Sequence, residues 1–231
     1  MKVIIPLAGP DFVRNNGSTK AEISYCNDDL LHHILKRRPW YKYVMTTDYI
    51  FLLQDKVETR RLAKEKLEVW FPQCKVIFLS NTTGGAAFTA TASLAYIVDV
   101  DETIIFDLAD IDYELSKTVI PEIQSLNKKN AIALTFQSNN PVYSYLHFDK
   151  SGSFIEAKEK KVISSVASAG TYIFGGVHSF LCAMKYALNN KSTHLHNDLL
   201  YLCPLFNGVK SSGGIVTKID VTNVVDVKVE D

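Results

Sequence analysis

The chain has 231 residues, of which 47% are hydrophobic and 22% charged, the composition of a globular protein of one α/β domain or two small ones. Lys+Arg and Asp+Glu both number 25, so the net charge is zero, which disfavours nucleic acid or a membrane surface as a partner. The sequence lacks an apolar run of about 18 residues and a signal-peptide pattern, and its four cysteines are scattered. These features predict a cytoplasmic protein with reduced thiols.

The amino-terminal stretch is the first candidate for a binding site. Val3, Ile4 and Ile5 form an apolar, β-branched run that predicts a strand buried on both faces. A loop with glycines and cations follows at residues 8–20, and then a helical pattern begins. This layout presents backbone N–H groups and positive charge to a phosphate, although its spacing matches neither the dinucleotide fingerprint nor the P-loop. An ordinary strand-to-helix connection is the alternative.

The rest of the first half alternates apolar strands with amphipathic helices. The predicted helices are 28–38, 58–70, 86–97 and 114–128, and the predicted strands are 49–53, 75–79, 103–106 and 131–136. This alternation predicts an α/β fold with a mostly parallel central sheet and helices on both faces. Ligands of such sheets bind beyond the carboxyl ends of the strands, where loops 8–20, 81–85 and 107–112 are expected.

The pattern changes after Asn139. Segments 143–148 and 154–158 are separated by Asp149-Lys150-Ser151-Gly152, which predicts an added antiparallel hairpin. The remaining predicted elements are a strand at 170–174, helices at 177–189 and around 197–202, and a last strand at 215–221. No repeat or linker interrupts the chain, so we predict a single domain over residues 1–231.

Two acidic residues and one lysine are candidates for chemistry. Asp110 follows a predicted strand, between Asp107 and Asp112, and Mg²⁺ is typically held by one or two carboxylates together with phosphate oxygens and water. A helix N-cap or a solvated turn is the alternative for Asp110. Asp220 closes the last predicted strand and would supply a second carboxylate, or is merely an acid at a strand end. Lys160 lies in a charged run that also suits a solvated strand face.

The segment SYLHFDKSGSFIEAKEKKVISSVASAGTYIFGG, at 144–176, combines a hairpin, a Glu-Lys pair and a Gly-x-Tyr-x-Phe strand. In this combination it resembles the sugar-phosphate nucleotidyltransferases. The opening IIPLAG, the Gly84-Gly85-Ala86-Ala87 turn and Leu108-Ala109-Asp110 resemble other signature segments in the same order. The resemblance implies a GT-A-like fold and a reaction in which an NTP and a phosphorylated substrate give an NDP-activated compound and pyrophosphate. It also implies a nucleotide-binding half at 1–139 and an acceptor-binding half at 140–231.

The same resemblance implies roles for individual residues. It assigns catalysis to Arg14, Lys20 and Lys160, and nucleotide binding to Leu7, Ala8, Gly9, Gly84, Gly85 and Asp110. It assigns binding of the phosphorylated substrate to Ser144, Glu159, Lys160 and Gly170. It assigns Mg²⁺ as cofactor, held by Asp110 and Asp220. A role in surface-polysaccharide biosynthesis is expected, and a homo-oligomer is compatible with the sequence.

The first loop departs from the family's pattern. The family's usual opening has a second glycine and a small-residue–Arg pair. Here Pro10-Asp11-Phe12-Val13 intervenes and displaces Arg14 by one position, and Pro10 removes an N–H donor. Asp11 would repel a triphosphate unless it points away or meets the metal. This departure keeps open the alternative of a domain that binds nucleotide or sugar phosphate without turnover. A separate alternative is a glycosyltransferase that uses Asp110-Ile111-Asp112 as a metal-binding Asp-x-Asp.

Overall fold

The computed structural model describes residues 1–227, so the last four residues of the predicted 1–231 domain lie outside the described residues. Fifteen strands lie within 1–227: β1 (Lys2–Pro6), β2 (Ser24–Tyr25), β3 (Asp28–Asp29), β4 (Tyr49–Gln54), β5 (Lys75–Leu79), β6 (Ile104–Asp107), β7 (Ile111–Glu114), β8 (Ala131–Gln137), β9 (Tyr145–Phe148), β10 (Phe154–Lys158), β11 (Val166–Phe174), β12 (Leu195–His196), β13 (Leu199–Leu200), β14 (Val216–Asp220) and β15 (Thr222–Asp226).

The same residues contain eight α-helices: α1 (Leu30–Arg37), α2 (Val57–Leu62), α3 (Glu68–Trp70), α4 (Ala86–Thr91), α5 (Ile120–Gln124), α6 (Val177–Asn189), α7 (Lys191–His194) and α8 (Phe206–Ser211). A π-helical segment, Ala63–Leu67, joins α2 to α3 into one continuous helix. None of the helices in the described part of the chain combines the length and the apolar character that a membrane crossing requires.

The central sheet is mostly parallel, as predicted. Its main strand order is β14-β8-β11-β6-β1-β4-β5, and six of these seven strands run in one direction while β11 runs in the other. The hairpin β9–β10 pairs with one end of β11. All six parallel strands therefore deliver their following loops to one edge of the sheet, the edge at which α/β proteins bind ligands.

Helices cover both faces of this sheet. Because alternate side chains of a strand point to opposite faces, Val3 and Ile5 of β1 enter a core layer with α1 and α2, whereas Ile4 enters a layer with α4, α6 and α8. All three side chains are completely buried. The fold class is thereby confirmed; the division into a nucleotide half and an acceptor half stays a prediction.

Two predicted helices differ from the structure. Residues 111–114, which run from the predicted loop 107–112 to the first residue of the predicted helix 114–128, form β7, which pairs with β15. Only 120–124 of that predicted helix is α-helical. The predicted helix around 197–202 is instead a hairpin of β12 and β13. Its turn residues Asn197 and Asp198 have φ angles of 50° and 61°, the left-handed conformation that two-residue hairpin turns require.

Candidate functional site

Two adjoining cavities open at the carboxyl ends of β1 and β6. The first cavity has a volume of about 610 Å³ and lies beside the loops after β1 and β6. The second cavity has a volume of about 350 Å³ and is bounded by β11 and the residues flanking the β9–β10 hairpin. Asp11, Leu108 and Asp110 line both cavities. Two small-molecule sites of ordinary size therefore meet at Asp110.

A buried ion pair fixes the loop that carries Asp110. Arg38 and Asp107 are both inaccessible to solvent, and Nε of Arg38 lies 2.6 Å from Oδ2 of Asp107. Nη2 of the same guanidinium donates to Oδ1 of Asp107 at 3.2 Å and to the carbonyl of Ile111 at 2.9 Å. The N–H of Ala109, whose φ is 52°, donates to Oδ1 of Asp107. Arg38 thus bridges both ends of the turn and holds Asp110 at its tip.

The two acids that flank Asp110 in sequence serve other contacts. Asp107 is engaged by Arg38, as described above. Asp112 accepts a hydrogen bond from Nε of Arg37 at 2.9 Å and lies 3.7 Å from Nε2 of His33. Asp112 is thus engaged by Arg37 and lies near His33, and it is absent from the described linings of the two cavities that Asp110 lines. A metal-binding Asp-x-Asp would need both acids in one cavity.

Gly170 leaves room for the carboxylate of Asp110. A Cβ built on Gly170 would lie 2.7 Å from Oδ1 of Asp110, and the φ of Gly170 is 74°. Glycine is favoured here by both conditions, because a side chain would collide with the carboxylate and would strain the backbone. The predicted substrate-binding glycine thus stands in direct contact with the predicted metal ligand.

The carboxyl-terminal segment brings Asp226 next to the backbone that follows Asp110. Strand β15 pairs antiparallel with β7, with Asp226 opposite Ile111, and the N–H of Val227 donates to the carbonyl of Asp110 at 3.3 Å. Tyr143, which lines the second cavity, donates its hydroxyl to Oδ2 of Asp226 at 2.8 Å. Burial, this bond and the charges of Asp226 and Asp110 raise the pKa of Tyr143 to about 12.

Asp220, the predicted second metal ligand, is placed elsewhere. It ends β14, which β8 and β11 separate from β6 in the sheet. Its carboxylate accepts from Oγ1 of Thr135 at 2.7 Å and from Nζ of Lys218 at 2.7 and 2.8 Å. Burial opposes ionisation, but these bonds keep the pKa of Asp220 below its usual value. Neither Asp220 nor Asp226 occurs among the described residues that line the two cavities. Asp226 differs from Asp220 in its bond to Tyr143, which does line the second cavity.

Sequence reasoning did not single out Asp226. Its position depends on the pairing of β15 with β7, more than a hundred residues earlier in the chain. The one local signal is the β-favouring stretch Thr222-Asn223-Val224-Val225 directly before it.

The loop after β1 places a lysine and an aspartate at the site. Nζ of Lys20 lies 2.5 Å from Oδ2 of Asp11, and the side chains are 27% and 75% exposed, respectively. Burial favours the neutral acid, yet the hydrogen bond and charge of Lys20 and the charge of Lys160 keep the pKa of Asp11 below its usual value. Both cationic side chains therefore act on one carboxylate.

Of the other residues of this loop that were predicted to belong to the site, some line a cavity and others do not. Leu7 and Gly9 line the first cavity together with Lys20. Ala8 is almost completely buried, and the backbone of Arg14 closes the loop through its N–H, which donates to the carbonyl of Ser18 at 2.8 Å. Ala8 and Arg14 are not among the described residues that line the two cavities.

The Gly84-Gly85 turn packs against hairpin β12–β13. A Cβ on Gly85 would lie 2.4 Å from the carbonyl oxygen of Leu200, and the φ of Gly85 is 115°. The N–H of Leu200 donates to the carbonyl of Gly84 at 2.8 Å. Ala86, the next residue, lines the second cavity, whereas the described linings include neither glycine. The structure explains these glycines through a close backbone contact.

Glu159 and Lys160 lie in the second cavity with Asp110. The hydroxyl of Ser144 donates to Glu159. Lys160 has a φ of 49°, and its Nζ lies 5.9 Å from the centre of the Tyr201 ring. A left-handed lysine is an unfavourable backbone conformation of the kind that recurs at functional sites. It directs a cation into a cavity whose other charged members are acidic.

The donor set of this site fits a hard cation. The described residues contain no cluster of three or more His, Cys, Asp or Glu side chains suited to a metal. Mg²⁺ does not need one, because it keeps several waters and uses one or two carboxylates plus substrate phosphates. Asp110 supplies such oxygens in both cavities, and Asp226 supplies them behind Tyr143 of the second cavity.

Comparisons with known proteins bear on the fold. No protein-family model and no curated protein sequence matches the chain. A nucleoside-diphosphate-sugar pyrophosphorylase from Vibrio cholerae RC9 matches in structure with 22% identity and a TM-score of 0.81, over 99% of this chain and 96% of that one. An inositol-1-phosphate CTP transferase from T. maritima matches in structure with 10% identity and a TM-score of 0.71, over 97% of this chain and 86% of that one.

A UDP-glucose pyrophosphorylase in complex with UDP-glucose matches with 12% identity and a TM-score of 0.65, over 98% of this chain and 92% of that one. The chain thus has the fold of sugar-phosphate nucleotidyltransferases along its described length. The resemblance predicted from the sequence is confirmed at the level of the fold.

Proposed function

We propose that this protein is a nucleotidyltransferase that joins an NTP to a phosphorylated sugar or another small phosphate ester. The products are an NDP-activated compound and pyrophosphate. The observation that carries this proposal is the meeting of two cavities at Asp110, with Lys20 lining the first and Lys160 lining the second. One cavity for each phosphorylated reactant, joined at a carboxylate, is what a reaction between two phosphates needs.

In this proposal the first cavity takes the NTP and the second takes the acceptor. Leu7, Gly9 and Lys20 lie against the nucleotide, while Lys160 binds the acceptor phosphate. An oxygen of that phosphate attacks the α-phosphorus, the bond to the β-phosphate breaks, and pyrophosphate leaves with the electron pair. Such transfers require alignment and charge neutralisation. The two lysines offset the repulsion between the anionic reactants.

Asp110 and Asp226 are the residues that would hold Mg²⁺. The bound ion would neutralise charge on the transferring phosphoryl group. Arg38 and Asp107 act before any substrate arrives, because their buried ion pair fixes the turn that presents Asp110. Asp220, which is engaged by Lys218 and Thr135, has no part in the proposed metal pair.

We also propose that the product is an activated donor for surface-polysaccharide assembly and that the enzyme acts in the cytoplasm, where NTPs are available. The supporting observations are those that favour nucleotidyl transfer. A panel of acceptors that includes sugar phosphates and non-sugar phosphates separates this role from others, because a donor for glycan assembly requires turnover with a sugar phosphate.

A second candidate is a domain that binds nucleotide or sugar phosphate without turnover. The observation that favours it is the ion pair between Asp11 and Lys20, which engages the lysine expected to bind the triphosphate. In this reading the cavities fill with ligand but no phosphoryl group is transferred.

The test is a matrix of the four NTPs against a panel of phosphate esters, with Mg²⁺ and with pyrophosphate release as the readout. The enzyme proposal expects release with one NTP and one class of ester, and its loss in Asp110→Asn. Calorimetric binding without pyrophosphate from any pair would support the second candidate. Release of NDP from a nucleotide sugar would support a glycosyltransferase instead.

A further inference from the structure

Asp11 stands at the junction of the two cavities, each of which contains a lysine. It lines both cavities, it is paired with Lys20 at 2.5 Å, and the charge of Lys160 acts on the same carboxylate. Lys20 and Lys160 come from segments 140 residues apart in the sequence. Within the described chain, Asp11 is thus an acid on which both proposed phosphate-binding cations act.

The local backbone directs this carboxylate into the site. Pro10 and Asp11 occupy the centre of a turn in which the N–H of Phe12 donates to the carbonyl of Gly9 at 3.2 Å. Proline is common at the second position of such a turn, because its ring fixes φ near the value that this position requires. A Cβ on Gly9 would lie 3.1 Å from Oδ1 of Asp11, so the carboxylate lies against the phosphate loop itself. The Pro10-Asp11 dipeptide thus places one negative charge against the loop that is proposed to bind phosphate.

We infer that Asp11 is an internal counter-ion that takes the place of a substrate phosphate beside Lys20 and Lys160, and that it limits how tightly the site binds a free polyphosphate. The identity of the ligand rests on the proposed function. The ion pair itself does not. An entering phosphate must compete with the carboxylate for Lys20 and must then tolerate that carboxylate as a near neighbour, and both effects weaken binding.

The effect is moderate in size because the Asp11 side chain is 75% exposed. Water screens a pair of this kind, so exposed ion pairs contribute little to stability, and the carboxylate can swing away at small cost. Removing its charge should therefore leave the fold intact. We expect the affinity for polyphosphate to rise by about tenfold at low ionic strength, with the gain shrinking as salt is added.

The experiment is calorimetric titration of the full chain with pyrophosphate in EDTA, so that no divalent ion contributes. Asp11→Asn keeps the shape of the side chain and removes its charge; Asp11→Ser is a second uncharged variant. The matched control is Asp101→Asn, which breaks a comparable exposed pair with Lys128 near the amino-terminal end of β6. We expect both Asp11 variants to bind about tenfold more tightly than the parent, and the control to match the parent.

Equal or weaker binding by the Asp11 variants would overturn the inference, and so would the absence of pyrophosphate binding in all proteins. The result is separable from the proposed function. Tighter binding by Asp11→Asn with no turnover in the NTP matrix would retain the counter-ion and reject the enzyme. Turnover by the parent with unchanged binding in Asp11→Asn would retain the enzyme and reject the counter-ion.

Discussion

Two loops at the same edge of the sheet form the centre of the site, and they are held in opposite ways. The turn at 108–110, after β6, is anchored by Arg38 and Asp107, both inaccessible to solvent. The loop at 7–20, after β1, relies on the exposed pair of Lys20 and Asp11. A buried pair cannot lose one partner without leaving a charge uncompensated in the interior, whereas an exposed pair separates at little cost.

This difference fits what each loop is proposed to do. A metal ligand must be preorganised, because small errors of position are costly in catalysis. Arg38 fixes the turn that carries Asp110, and Gly170 leaves room for the carboxylate of Asp110. A phosphate-binding cation must change partners during each cycle, and Lys20 is held by a pair that permits this. The buried ion pair thus fixes the position of Asp110, whereas the exposed ion pair allows Lys20 to exchange a carboxylate for a phosphate.

The largest expected effect comes from breaking the buried pair. Arg38→Met leaves the carboxylate of Asp107 without its partner, which we expect to lower the free energy of unfolding by about 3–5 kcal/mol. Lys20→Met, the matched change in the exposed pair, should cost less than about 1 kcal/mol. Urea denaturation of the two variants and the parent measures both. Similar losses in the two variants would show that the loops are not held differently.

Removing the charge of the metal ligand should act on turnover and leave the fold unchanged. We expect Asp110→Asn to reduce Mg²⁺-dependent pyrophosphate release on the order of a hundredfold, because the amide is a weaker ligand for a hard cation. The thermal midpoint should stay close to that of the parent. A variant that turns over as fast as the parent would remove Asp110 from the metal site.

The choice between the two carboxyl-terminal acids can be made with one matched pair of variants. Asp226→Asn should lower turnover on the order of tenfold to a hundredfold and raise the Mg²⁺ concentration needed for half-maximal rate. Asp220→Asn should change the rate by less than about twofold, since that carboxylate contacts Thr135 and Lys218, although loss of an exposed pair can cost up to about 1 kcal/mol of stability. The reverse ranking would restore Asp220 as the ligand.

The smallest of these effects should appear in the second cavity. Lys160→Ala is expected to raise the KM for the phosphorylated acceptor about tenfold, the loss of roughly one charge-assisted contact, and to leave the KM for the NTP unchanged. Steady-state kinetics with each substrate varied in turn measures the split. An increase in the KM for the NTP instead would assign Lys160 to the first cavity.

The sequence predicted what local patterns determine. Strand 75–79, strand 154–158 and helix 177–189 coincide with β5, β10 and α6, because their apolar spacing and turn residues are local features. Strand β7, at 111–114, was not predicted, because its partner strand lies near the other end of the chain. The same distant pairing brings Asp226 next to the backbone that follows Asp110.

The buried ion pair that fixes the turn at Asp110 could not be predicted from the sequence either. Arg38 and Asp107 are 69 positions apart and are charged, so composition alone places them on the surface. The fold buries them together and uses them to shape the turn at Asp110. Pairing across long separations is therefore what the sequence could not reveal about this site.

The most direct test of nucleotidyl transfer is ³¹P NMR of the parent chain with the preferred NTP, Mg²⁺ and the preferred phosphate ester. We expect the ester resonance to be replaced by a coupled pair of diphosphate signals, with one equivalent of pyrophosphate. No new diphosphate linkage with any combination, or release of inorganic phosphate or NDP in place of pyrophosphate, would contradict it.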